Sequence, residues 1–182
     1  KIKKMKDKRY TVNWSRSVKA LTITLSIIFV LTELFLLIAS FNFTDDWHDR
    51  AWCLFTFIVI LSVSAYTMAL TPLSISLTPA ELILYRPIGK KMFPIDCIQH
   101  IDVYNEEAGI RIFGSGGFWG FVGLFYSKQL GKHSAYVGDY HEAFYIILNS
   151  GKKVVLSCEN RDFIISSITK RNAPNSPKQP TN

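Results

Sequence analysis

The sequence predicts a membrane-spanning helical hairpin followed by a small α+β or mainly-β domain that ends in one helix. Two long apolar stretches predict the hairpin, because residues 20–44 contain a single charge, Glu33, and residues 51–80 contain none. Short alternating stretches after residue 72 predict about six or seven antiparallel strands in a curled sheet or barrel.

The composition divides the chain into four parts. We expect a basic arm at residues 1–17, a two-helix hairpin at 18–71, the β-domain at 72–171 and a disordered tail at 172–182. The tail is polar and rich in proline, a composition that cannot bury enough apolar surface to fold.

Both apolar stretches are long enough to cross a bilayer. A hydrocarbon core about 30 Å thick needs roughly 20 apolar residues of helix. We expect the first span over residues 18–41 and the second over residues 51–70. Thr71-Pro72 should end the second span, because proline disfavours helix in the residue before it.

Glu33 lies in the middle of the first span, where a charge is costly and usually faces a partner or a polar cavity. Two interpretations stay open. One is an intramembrane polar contact at a helix–helix or oligomer seam. The other is a protonated acid bonded to a hydroxyl of the second span, at Ser62, Ser64 or Thr67.

The charge distribution predicts the topology. Residues 1–19 carry eight basic residues against Asp7, whereas the connection between the spans carries Asp45, Asp46 and Asp49 against Arg50. Basic segments beside a span stay in the cytoplasm. We therefore expect both termini in the cytoplasm and no nucleic-acid partner; the inverted topology stays open.

Residues 110–127 read IRIFGSGGFWGFVGLFYS and contain an unusual mixture of glycine and aromatic residues. Glycine in a strand indicates a bulge, a bend or a close approach of backbones. A second interpretation presents the rings to the lipid interface. The rings concerned are Phe113, Phe118, Trp119, Phe121 and Phe125.

A soluble helix is predicted after the last strand. Asn160 is a candidate N-cap, and Lys170 and Arg171 suit the last turn. We expect an apolar stripe that buries Phe163, Ile164 and Ile168.

The glycine-aromatic stretch also carries a family resemblance. It begins with RIFGSGGFWG at residues 111–120 and continues through GLFY at 123–126 to VVLS at 154–157. This pattern resembles small two-span membrane proteins, common in the Bacteroidetes, that carry a bacterial pleckstrin-homology-like (PH-like) domain. The resemblance covers about residues 18–171 and implies a PH-like fold in a membrane setting, which would be the bacterial inner (cytoplasmic) membrane. It supplies no catalytic residues.

Basic residues concentrate in three predicted turns of the domain. Clustered on one rim, they would bind lipid phosphates or a partner; otherwise they form a mixed-charge surface with the acidic residues. They are Arg86, Lys90 and Lys91, then Lys128 and Lys132, then Lys152 and Lys153.

The sequence indicates no catalytic, cofactor or metal site. The cysteines and histidines lack the close spacing of zinc ligands. Gly114–Gly117 has neither the following helix nor the Gly-Lys-Ser/Thr ending of nucleotide loops. A nucleophile, a base and a carboxylate can be named, at Ser115, His133 and Asp139, but no nucleophile-elbow pattern accompanies them.

These observations favour a non-catalytic, membrane-anchored domain that serves as a protein-interaction or scaffold module at the cytoplasmic face. Its partners would be the bilayer and either another protein or a second copy, through the spans. Two alternatives stay open: recognition of anionic lipid head groups, and an enzyme with a lipid or envelope substrate.

Overall fold

The structure, a computed structural model, describes residues 8–42 and 46–172. It contains two long helices, two β-sheets that pack face to face, and a final helix. Predictions for residues 1–7 of the basic arm, for Asp45 and for residues 173–182 of the tail lie outside these ranges.

Helix α1 (Arg16–Asn42) and helix α2 (Trp47–Leu70) form the hairpin. Their mean hydropathies are 2.5 and 2.1, and both are long and apolar enough to cross a membrane. α2 begins before the predicted Ala51 because Asp46 caps it, accepting a hydrogen bond from the His48 N–H at 3.1 Å.

Glu33 is half-buried on α1, on a stripe whose members recur every three or four residues. The hydroxyls of Ser62 and Thr67 donate to carbonyls of their own helix, at 2.7 and 3.0 Å. Within the described ranges, no hydrogen bond joins Glu33 to Ser62, Ser64 or Thr67. The hydroxyl partner proposed for Glu33 is therefore not found.

The first sheet has four antiparallel strands in the order β1-β2-β3-β4. Strands β2 and β3 match the predicted alternating stretches, whereas β4 begins at Lys90, which the sequence pattern assigned to a turn. The strands are β1 (Arg9–Thr11), β2 (Ser74–Leu77), β3 (Glu81–Tyr85) and β4 (Lys90–Pro94).

Strand β1 was not predicted, because it comes from the basic arm. It pairs with β2 through Arg9–Ser76, Tyr10–Ile75 and Thr11–Ser74. Tyr10 is buried in the core and its neighbours are exposed, the alternation of a sheet edge. The domain is therefore closed by residues from both sides of the hairpin.

The second sheet has six strands in the order β5-β9-β10-β8-β7-β6. The strands are β5 (Ile98–Val103), β6 (Ile110–Gly117), β7 (Gly120–Ser127), β8 (Gly131–Val137), β9 (Ala143–Leu148) and β10 (Lys153–Ser157).

Two details of the predicted sheet need correction. β10 pairs with β8 in parallel, because β9 lies one position farther out and β10 returns into the space between them. The strands also form two separate sheets rather than one closed barrel. The core lies between those sheets and under the final helix.

Both faces of the second sheet are buried at its central strands β9 and β10. Residues such as Phe144, Ile146 and Leu156 join the cluster shared with the first sheet. Their neighbours Tyr145 and Val155 join a second cluster on the opposite face. This period-two alternation is what a strand buried on both sides requires.

Helix α3 (Arg161–Asn172) packs on β5 and β9. Ile164 and Ile168 are fully buried, as predicted. Phe163 is 54% exposed, so its predicted burial is wrong. Its ring lies at the surface beside Tyr10, with centroids 5.9 Å apart, a contact that depends on the unpredicted strand β1.

Candidate functional site

The turn between β3 and β4 lies close to the end of α2. Register across the first sheet aligns Ser74, Tyr85 and Lys90 in one row. Adjacent strands are about 4.8 Å apart, so Lys90 lies roughly 10 Å from Ser74. Since Ser74 follows the last α2 residue, Leu70, almost directly, this turn is at the helix-proximal end of the domain.

This turn combines basic and apolar side chains. Arg86 and Gly89 close it through a backbone hydrogen bond of 3.2 Å, and Gly89 has the positive φ of 77° that favours glycine. Ile88, at its tip, is 71% exposed. Arg9 of β1 places its guanidinium 4.3 Å from the centre of the Tyr85 ring.

A cleft beside this turn brings together lysines from distant parts of the chain. We call it the lysine cleft, and it consists of Lys90, Lys91, Lys152, Ser134 and Tyr136, with apolar walls. Its volume is about 390 Å³, within the range of small-ligand sites. None of the described residues that line it is acidic.

The strands explain how the hydroxyl groups enter this cleft. Ser134 and Tyr136 lie two residues apart on β8, so they share one face, while His133 lies on the other. The Lys91 ammonium donates to the Tyr136 hydroxyl and lies 4.3 Å from the centre of that ring. The cleft thus offers ammonium and hydroxyl groups, the donors that suit a phosphate.

The remaining predicted basic residues do not join the lysine cleft. Lys128 and Lys132 are exposed around the turn between β7 and β8. Lys153 donates to the Leu130 carbonyl at 2.6 Å. The cleft therefore takes Lys90 and Lys91 from the first predicted turn and Lys152 from the third, and neither lysine of the second turn lines it.

The predicted aromatic residues lie in three different environments. Phe118 packs edge-on against Phe29 of α1, with centroids 5.5 Å apart. Trp119 packs against Trp14 at 5.7 Å. Phe121 packs against Tyr140 at 4.9 Å and contributes to the second core cluster.

Two further aromatic residues, Phe113 and Phe125, differ completely in their exposure. Phe125 is 1% exposed, whereas Phe113 is 72% exposed. Phe125 lies on β7, inside the sheet, whereas Phe113 lies on the edge strand β6, where residues 110–114 are all exposed.

The glycines permit close contact between β6 and β7. A Cβ added at Gly114 would lie 2.2 Å from the Val122 carbonyl oxygen, and one at Gly123 would lie 2.2 Å from that of Phe113. Both residues have positive φ, 109° and 141°. The strands therefore approach at a distance that no side chain would allow.

A single threonine of α1 fastens the tip of this hairpin. Thr22, 4% exposed, accepts a hydrogen bond from the Trp119 N–H at 3.0 Å and donates to the Gly117 carbonyl at 3.4 Å. Sequence reasoning missed Thr22, because nothing in an apolar helix distinguishes one threonine from another.

The nucleophile, base and carboxylate named from the sequence form hydrogen bonds with other groups and not with one another. The Ser115 hydroxyl donates to the Phe118 carbonyl at 2.5 Å, the His133 ring bonds to the Gly131 carbonyl, and Asp139 accepts from the His141 N–H. Burial raises the pKa of the Cys158 thiol to about 12, which keeps it protonated. Among the described residues, no group of three His, Cys, Asp or Glu side chains is placed to hold a metal ion.

Comparison with known proteins assigns the domain. Residues 73–172, more than half of the 182-residue chain, match the family described as bacterial PH domain. No curated protein and no solved structure matches this chain. Two packed sheets followed by one helix agree with the PH-like fold that the sequence predicted.

Proposed function

Because this chain belongs to the bacterial PH domain family, we propose that it is a non-catalytic membrane protein whose domain binds anionic, phosphate-bearing lipid head groups. The lipids would belong to the same membrane that α1 and α2 span. The lysine cleft carries this proposal, since Lys90, Lys91 and Lys152 line it and none of the other lining residues that the structure describes is acidic.

The position of Lys90, at one end of the cleft, supports a lipid as the ligand. Lys90 lies in the row that starts at Ser74, just beyond α2. The exposed Ile88 and the basic residue Arg86 occupy the adjoining turn. A turn with an apolar tip and basic flanks suits the interface, where each basic residue contributes about 1 kcal/mol toward anionic lipid.

The basic arm supports a cytoplasmic location for the domain. Arg16 and Lys19 begin α1, and Lys8 and Arg9 precede it closely. Basic residues that flank a span remain in the cytoplasm. The proposed setting is accordingly the inner membrane, with the domain on its cytoplasmic face.

A second candidate function is a protein-interaction or scaffold module. It is favoured by β5, which is an edge strand of the second sheet. An apolar groove of about 380 Å³ runs between Val103 of β5 and Ile165 and Thr169 of α3. An unpaired strand edge beside an apolar groove suits an extended peptide.

The test uses the full chain in phosphatidylcholine vesicles that contain a trace of pyrene-labelled lipid. Energy transfer from the tryptophans to the label reports lipid enrichment around the protein. We expect labelled phosphatidylglycerol to be enriched over labelled phosphatidylcholine at low salt and this preference to disappear at high salt.

A matched pair of variants locates the effect. Lys90→Gln/Lys152→Gln should weaken the preference by roughly 30-fold, at about 1 kcal/mol for each lysine. Lys128→Gln/Lys170→Gln removes the same charge from exposed residues that do not line the cleft and should leave the preference nearly unchanged. Equal transfer to both lipids in the wild-type protein would overturn the proposal and favour the protein partner.

A further inference from the structure

The tip of the β6–β7 hairpin lies against a helix that spans the membrane. A Cβ added at Gly117 would lie 3.0 Å from Leu21 Cδ2 of α1, and Thr22 hydrogen-bonds to both sides of the turn. Phe118 packs on Phe29. Backbone and side-chain contacts therefore agree on one position for the tip.

The helix gives the depth of that position. Lys19 is the last charged residue of α1 before Glu33. At 1.5 Å per residue, Thr22 lies about 5 Å beyond Lys19 and Phe29 about 15 Å beyond it. Helical side chains point toward the N-terminus, so the Phe29 ring lies somewhat closer to Lys19 than its backbone does.

The exposed face of the hairpin is apolar. Ile110 and Phe113 of β6 are 71% and 72% exposed, and Ile112 is 51% exposed. β6 is the other edge strand of the second sheet, and its residues 110–114 are exposed in the described part of the chain. If this long apolar edge were exposed to water, it would promote aggregation. Because the edge lies beside α1, whatever surrounds that part of α1 can also cover the edge.

We propose that this hairpin is a third membrane-contacting element, whose tip enters the lipid layer beside α1 on the side of the domain. Its occupant is lipid of that leaflet, at the boundary between head groups and acyl chains. The surface is continuous with the apolar face of α1 through Phe29 and Phe118. The Trp14–Trp119 pair fits this boundary, where tryptophan is enriched.

Two features limit the depth of insertion. Unpaired backbone groups of an edge strand cannot be left in hydrocarbon, so β6 itself stays among hydrated head groups. Arg111 is exposed, and its guanidinium lies near Gly116, close to the tip. At head-group level this cation meets lipid phosphates, while the ring of Phe118 reaches the acyl chains.

The inference goes beyond head-group recognition, because it requires no anionic lipid. Its test uses the full chain in vesicles of phosphatidylcholine alone, in a background of Cys53→Ala, Cys97→Ser and Cys158→Ala. A single cysteine at Phe113→Cys carries an environment-sensitive NBD dye. Lipids with a nitroxide near the head group, and iodide in the water, serve as quenchers.

Two further positions calibrate the measurement. Val30 of α1 is 61% exposed, so a label at Val30→Cys reports lipid. Lys128 lies just beyond the other end of β7, so a label at Lys128→Cys reports water. We expect the label at Phe113→Cys to be quenched by nitroxide lipid several-fold more than that at Lys128→Cys, and by iodide several-fold less.

Two results would overturn the proposal. Iodide quenching at Phe113→Cys equal to that at Lys128→Cys would place β6 in water. Protection from both quenchers at a high lipid-to-protein ratio would mean that protein, for instance a second copy, covers the edge. Because the vesicles are neutral, neither result bears on the proposal that the lysine cleft binds anionic lipid.

Discussion

The glycine-aromatic hairpin belongs to the second sheet alone, whereas the lysine cleft lies between β4 of the first sheet and β8 and β10 of the second. The hairpin is fastened to α1 through buried groups, at Thr22 and Gly117. The cleft is lined by lysines, of which Lys90 and Lys152 are exposed. Substitutions at the hairpin should therefore change stability, and substitutions at the cleft should change binding.

Strand β8 connects these two regions. It pairs with β7 of the hairpin and sends Ser134 and Tyr136 into the cleft. His133 points the other way, into the second core cluster beside Phe125. A rigid attachment on one side can thus hold an open, charged site at a constant distance from the helices.

The largest expected effect calibrates stability outside both regions. Ile168→Asp strands a charge in a fully buried position under α3, which should cost at least about 3 kcal/mol and unfold the domain. Thermal unfolding followed by tryptophan fluorescence measures this. Phe163→Asp, on the exposed face of the same helix, is the control, and a wild-type melting curve for Ile168→Asp would contradict the placement of α3.

The next effect tests whether the hairpin depends on close backbone contact. Gly123→Ala combines a φ of 141° with a Cβ 2.2 Å from the Phe113 carbonyl oxygen, and it should cost about 2–3 kcal/mol. Gly131→Ala has a φ of 66° but no atom within 4 Å of the new Cβ, so it should cost only about 1 kcal/mol. Equal losses of stability in the two variants would mean that the backbone conformation, and not the close contact, sets the cost.

A smaller effect tests the fastening of the tip. Thr22→Val leaves the Trp119 N–H without its 3.0 Å acceptor, which should lower stability by about 1–2 kcal/mol. Thr22→Ser keeps the hydroxyl and should retain most of the stability. Both variants should bind anionic lipid as the wild type does, and a loss of lipid preference in Thr22→Val would break the separation between hairpin and cleft.

The smallest effect concerns pH. Burial lowers the pKa of His133 from its ordinary value of 6.5, so below that pH the unfolded chain binds more protons than the folded one. Stability should therefore be complete above about pH 6.5 and decline as the pH falls toward the folded-state pKa. His133→Gln should flatten this decline between pH 7 and 5, whereas His100→Gln, at an exposed position, should not.

Much of the fold followed from local patterns. The two apolar helices follow from length and hydropathy, because a span of about 20 residues needs no distant partner to be recognised. Most strands of the domain and the burial of Ile164 and Ile168 follow from periodicity. The family match at residues 73–172 confirms the PH-like fold.

The candidate site followed only in part. The basic turns at Lys90 and Lys152 were visible as separate groups, but they are 62 positions apart in the sequence (152 − 90), and no local pattern joins them. Ser134 carried no signal, since a serine in a strand resembles any other exposed polar residue. Phe113 and Phe125 have the same side chain and opposite burial.

By itself, the sequence determined the two long apolar helices, a strand-rich domain and a final helix, since hydropathy and periodicity belong to neighbouring residues. Only the tertiary structure decided that β1 of the arm completes the first sheet, that β10 lies parallel to β8, and that Lys90, Lys91 and Lys152 share a cleft. The physical reason is that strand pairing and side-chain assembly depend on which distant segments meet, and several pairings satisfy the same alternation.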